Sequence, residues 1–198
     1  MHKKSQIASI SVLLVAIFAL VGFSRFNEKE ADIPAFDSFK KTIAFQKHQF
    51  DISTNESGAI RELVIKVSRD NKQLILIRQK TDGWVVNAEA ADLNRNGSPE
   101  IYVYSSTYGS GSFGKIYAFE FLPTSFDAIR TEPFLPMLAE GYMGHDSFKI
   151  ENGQLVREFP IYHAGDTNAR PTGGTRKIWY ELRESEKKML LKAVEYED

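Results

Sequence analysis

Short apolar runs, each cut off by a turn signal, recur along this chain from Thr42 to Tyr196. Residues 60–68, IRELVIKVS, place Leu63, Ile65 and Val67 on one side of an extended chain, because successive strand side chains point to opposite faces. Residues 42–50, 73–79, 100–106, 115–121, 148–151, 154–159, 175–182 and 189–196 read in the same way. Between 148–151 and 154–159 stands Asn152-Gly153, the pair that tolerates the two positive-φ positions of a tight hairpin. The expectation is an all-β domain of about eight to nine short strands, folded as an antiparallel β-sandwich or a barrel-like sheet. One segment breaks the rhythm: residues 134–140, FLPMLAE, predict a short helix between Pro133 and Gly141.

The N-terminus does not belong to that domain. His2-Lys3-Lys4 is a basic head, and residues 7–22, IASISVLLVAIFALVG, are apolar apart from Ser9 and Ser11. A basic segment followed by a short greasy one is the pattern of an export signal, with Gly22 and Ser24 as the small residues of a cleavage site. The expected organisation is a signal peptide or N-terminal anchor helix over 1–24, a polar linker over 25–40 and a single β domain over 41–198. Uncleaved, the first segment would tie the chain to a membrane. The expected location is the periplasm or the cell surface.

Export without cysteine is informative. The chain has no cysteine, so its fold rests on a core rather than on disulfides, and thiol chemistry and cysteine zinc sites are excluded. With 42% hydrophobic and 26% charged residues, such a core is within reach. A net charge of −1 gives no general attraction to nucleic acid.

The residues that invite a chemical reading surround YGSGSFGKIY, residues 108–117. Gly109, Gly111 and Gly114 spell G-x-G-x-x-G. In a dinucleotide fold that motif must open a helix, whereas Ile116-Tyr117-Ala118-Phe119 continues as strand. A kinase-like phosphate loop would need a second lobe, and too little chain follows Gly114. A plain hairpin connection explains the glycines but not the aromatics Tyr108 and Phe113. Just upstream, Asp92, Asn94, Asn96 and Glu100 sit in DLNRNGSPE. Oxygens at alternate positions suit either calcium or a self-bonded Asx turn, and the sequence leaves both open. His145-Asp146 and His163 with Asp166 permit a hydrolase to be imagined, but no G-x-S-x-G elbow is present. The expectation is a protein without catalytic activity.

Residues 91–121, ADLNRNGSPEIYVYSSTYGSGSFGKIYAFEF, resemble the periplasmic inhibitors of invertebrate-type lysozyme. In that family a turn of this D-x-N-x-N-G-x-P-E kind precedes a strand, and an S-G-x-Y loop then enters the lysozyme cleft. The resemblance implies an antiparallel β-sandwich, a lysozyme as partner, and the loop serine and aromatic roles on Ser110 and Phe113. Phe113 replaces the family tyrosine, so one hydroxyl is missing. Tyr108, Gly111, Ser112 and Lys115 complete the expected contact set. The rival expectation is a calcium-stabilised surface or periplasmic module that binds glycan or protein.

Overall fold

The computed structural model describes residues 38–55, 60–186 and 188–198. The expected signal and almost all of the expected linker lie outside them. Within the unit that runs from Ala35 to Asp198, the described residues are mostly strand, with one short helix.

The first four strands form one antiparallel sheet in chain order: β1 (Lys40–Phe45), β2 (His48–Thr54), β3 (Ile60–Arg69) and β4 (Lys72–Asp82). Residues 42–50, expected as one strand, are in fact two. The chain turns at Gln46, held at φ 52°, and pairs Phe45 with His48. Glutamine carries no turn signal, which is why the pattern concealed the bend. Asp70 and Asn71, both at positive φ, join β3 to β4 with residues that accept the left-handed region more readily.

The other eight strands form a second sheet. They are β5 (Trp84–Ala91), β6 (Glu100–Ser106), β7 (Gly114–Phe121), β8 (Phe126–Thr131), β9 (Ser147–Glu151), β10 (Gln154–Pro160), β11 (Thr175–Ser185) and β12 (Lys188–Glu197). Their order in space is β5-β6-β7-β8-β12-β11-β10-β9. The sheet curls into a near-barrel. Its outermost strands meet through a side chain: Glu89 of β5 accepts a hydrogen bond from the Ile150 N–H of β9 at 3.1 Å and from the Tyr104 hydroxyl at 2.9 Å. β8 pairs antiparallel with β7 and parallel with β12. Its sequence, FDAIRT, is short and interrupts its apolar residues with Asp127 and Arg130, and it was not expected as a strand. Asn152-Gly153 turns as expected, with both residues at positive φ. The predicted helix shortens to α1 (Pro136–Ala139), because Pro136 can occupy only the first turn of a helix.

β6 is the centre of the domain, and all of its residues are buried. Ile101 and Val103 face a core shared with Phe50, Ile52, Leu63 and Ile65 of the four-stranded sheet. Tyr102 and Tyr104 face the barrel interior with Leu155, Ile178, Tyr180 and Leu191. Each such side chain contributes on the order of 1.5–3 kcal/mol, so one strand with two buried faces ties the two layers together. The loops at its two ends hold most of the residues singled out around the motif, while Glu100 lies on β6 itself and Lys115 on β7.

Candidate functional site

The loop after β6 runs over residues 107–113. Ser106 and Gly114 pair at its mouth. Above them the Thr107 N–H donates to the Phe113 carbonyl at 2.9 Å, and the Phe113 N–H donates to Thr107 Oγ1 at 3.0 Å. The bend needs Gly109, whose φ of 109° suits only glycine. The Ser112 N–H then closes onto the Gly109 carbonyl at 3.3 Å.

Distant segments brace the loop from behind. The Gly111 carbonyl accepts the His145 N–H at 2.7 Å. A Cβ on Gly144 would lie 1.9 Å from that same carbonyl oxygen, so only glycine lets the two chains come this close. The Asn168 amide donates to the Ser110 carbonyl. His145 Nε2 meets Asn168 Oδ1 at 3.0 Å, which leaves the amide nitrogen turned toward Ser110. At the stem, the Gly114 N–H donates to Asp146 Oδ2 at 2.6 Å.

Asp146 is the hub of this brace. Its buried side chain also accepts Arg157 Nε at 2.6 Å on Oδ1 and the Tyr142 hydroxyl at 2.6 Å on Oδ2. Arg157 Nη2 donates to that hydroxyl at 2.7 Å, and the guanidinium lies 4.0 Å from the centre of the Phe134 ring. Burial works against the Arg157 charge, and the Asp146 carboxylate more than restores it. Burial raises the Tyr142 hydroxyl above its usual range. Sequence reasoning noticed Asp146 only as a hydrolase candidate and missed Arg157 and Tyr142. No local signal marks them, because their partners lie on separate elements.

The expected contact residues divide into two groups. Ser110 is exposed at the tip, next to Gly109, and Phe113 is 45% exposed although its ring crosses that of Tyr142 at 69°. Tyr108 instead packs edge-on against Trp84, and its hydroxyl accepts Arg61 Nη2 at 3.0 Å. Gly111 faces the brace. The Ser112 hydroxyl turns back toward the Gly109 carbonyl at 3.4 Å. Lys115 pairs with Asp82 of β4. Among the described residues His145 and His163 bond no serine hydroxyl: His145 Nε2 meets Asn168, and His163 Nδ1 meets Thr172 Oγ1 at 3.2 Å.

The turn before β6 is built differently. Asp92 accepts the Asn96 and Gly97 N–H groups at 3.0 and 2.9 Å. Asn96 Oδ1 accepts the Ser98 N–H at 2.8 Å, and Asn94 Oδ1 accepts the Asn96 N–H at 3.1 Å. Both asparagine amides donate to Glu120 Oε1, at 2.9 and 2.7 Å. Glu100 Oε2 accepts the Leu93 N–H at 2.8 Å. The four oxygen-bearing side chains expected for calcium are therefore engaged with N–H groups or turned toward Glu120. Among the described residues no three His, Asp or Glu side chains are grouped to hold a metal ion. Glu100 is wholly buried. That burial pushes its carboxyl up to about 7, against the pull of the Leu93 N–H and with help from Asp92 and Glu120.

No protein-family model, curated protein or solved structure matches this chain.

Proposed function

We propose that this chain is an exported inhibitor of a lysozyme, of the invertebrate type, and that the 107–113 loop occupies the glycosidase cleft. The observation that carries the reading is the form of the loop. Its tip and one aromatic face are open to solvent, while its backbone is fixed from behind by His145, Asn168 and Asp146.

A glycosidase of this kind holds two carboxyl groups across its cleft, one of them protonated. The Ser110 hydroxyl can donate to the ionised group and accept from the other. Phe113 offers an apolar ring to a subsite shaped for sugar rings. Because the loop is already bonded in its bound shape, little ordering cost is incurred on association. The absent tyrosine hydroxyl at Phe113 leaves one hydrogen bond fewer, so Ser110 carries the polar recognition. Export to the periplasm or cell surface places the inhibitor where lysozyme meets peptidoglycan.

The test is lysis of a cell-wall suspension by invertebrate-type, chicken-type and goose-type lysozymes, with and without the purified chain. Inhibition of at least one type is expected. Ser110→Ala combined with Phe113→Ala should weaken it by about 100-fold, the range of a central hot spot. Undiminished lysis by all three enzymes overturns the proposal.

A further inference from the structure

The segment behind the loop tip reaches the surface beside it. Its framework is Asp166. This carboxylate accepts the His163 and Thr172 N–H groups at 2.8 and 2.9 Å and the Thr172 hydroxyl at 2.9 Å. Those N–H bonds, the His163 one foremost, hold the Asp166 carboxyl below its usual range. Inside that frame the Arg170 N–H closes a turn onto the Thr167 carbonyl at 2.9 Å. The Tyr162 hydroxyl fixes the Asn168 carbonyl at 2.9 Å. The Asn168 side chain is the one that grips Ser110. The turn and the loop tip are thus a single bonded unit made from chain segments far apart in sequence.

Arg170 stands exposed on this turn. The residue after it is Pro171, which disfavours helical backbone at Arg170 and holds it toward extended forms. The other cations around the loop are occupied. Lys115 pairs with Asp82, Arg157 with Asp146, and Arg176 with Asp198 and three carbonyls beside α1. Arg170 takes part in no ion pair and makes no side-chain hydrogen bond among the described residues. The acid nearest in sequence does not offset it, because Asp166 is bonded to its own loop.

We propose that the 167–170 turn is a second contact arm, with the Arg170 guanidinium engaging a carboxylate on the rim of the cleft that the 107–113 loop enters. This rests on the inhibitor reading and adds its electrostatic half. A glycosidase cleft is acidic by the nature of its reaction. A planar guanidinium matches a carboxylate with two parallel hydrogen bonds. A rim charge acts mainly on the rate of encounter and on its dependence on salt.

The test is association kinetics of the full chain with a lysozyme it inhibits, at low and at high salt. Arg170→Glu should slow association by about tenfold at low salt, and the difference should vanish as screening sets in. Arg170→Ala should give a smaller loss. Lys47→Glu, the same charge change on the β1–β2 turn, should alter the rate less than about twofold. Unchanged melting curves will show that Arg170→Glu remains folded. If Arg170→Glu associates as fast as Lys47→Glu, while the Ser110 and Phe113 double variant binds weakly, the second arm is refuted and the inhibitor reading stands. If the unaltered chain binds none of the three lysozymes, both fall.

Discussion

The two loops at the ends of β6 solve the same problem in opposite ways. The turn at 92–99 is shaped mainly by its own side chains: Asp92, Asn94 and Asn96 accept N–H groups at most five residues away. The loop at 107–113 is held largely by residues that are distant in sequence, with partners at 145, 146 and 168. Local bonding gives a turn that forms with its strand. Remote bonding gives a loop whose shape depends on the rest of the barrel, and whose outer surface is left free of its own fastening.

That contrast can be broken most severely at Asp146. Asp146→Ala leaves Arg157 buried without its counter-charge, a defect that costs about 3–5 kcal/mol. Urea unfolding should show the loss. Amide exchange should show the 107–113 loop loosened while the 92–99 turn keeps its protection. Equal loosening of both would mean that the brace is not specific to the loop.

Glu100 sharpens the other side. Its carboxyl is raised in the folded protein to about 7, from an ordinary value near 4.5. The folded state therefore binds the proton more tightly. The associated stability is full below about pH 4.5 and falls as the pH rises through 7, by up to roughly 3 kcal/mol. Glu100→Gln keeps an acceptor for the Leu93 N–H and has no charge to bury. It should flatten that part of the pH profile and stabilise the protein at pH 8. A slope that persists in the variant would place its origin elsewhere.

The smallest expected effect comes from Asn168→Ala. It removes the grip on Ser110 and should cost about 0.5–1.5 kcal/mol. The melting temperature should fall by only a few degrees, while exchange at residues 110–112 should rise. An unaltered exchange rate there would show that His145 and Gly144 suffice.

Legibility in the sequence follows the same division. Strands with partial alternation, such as β3, and turns with glycine or asparagine, such as Asn152-Gly153, were readable because their causes lie within a few residues. So was the Asx character of Asp92, although calcium stayed open beside it, since the same oxygens serve both. The bend at Gln46 was not readable, because tertiary pairing imposes it on an ordinary residue. β8 was not readable either, because FDAIRT acquires its strand form from β7 and β12. At the candidate site, Ser110 and Phe113 are exposed. The inward use of Tyr108, Gly111 and Lys115 depends on Trp84, His145 and Asp82, whose nearness no spacing in the chain reveals.

β12 is the last strand in sequence, yet in space it lies inside the sheet, between β8 and β11. Just beyond it, Asp198 accepts both Nε and Nη2 of Arg176. Until β12 is seated, β8 and β11 have no shared neighbour, and the sheet stays in two pieces, β5-β6-β7-β8 and β11-β10-β9. The seam that joins them brings together segments far apart in the sequence, so it carries the larger loop-closure cost of the assembly.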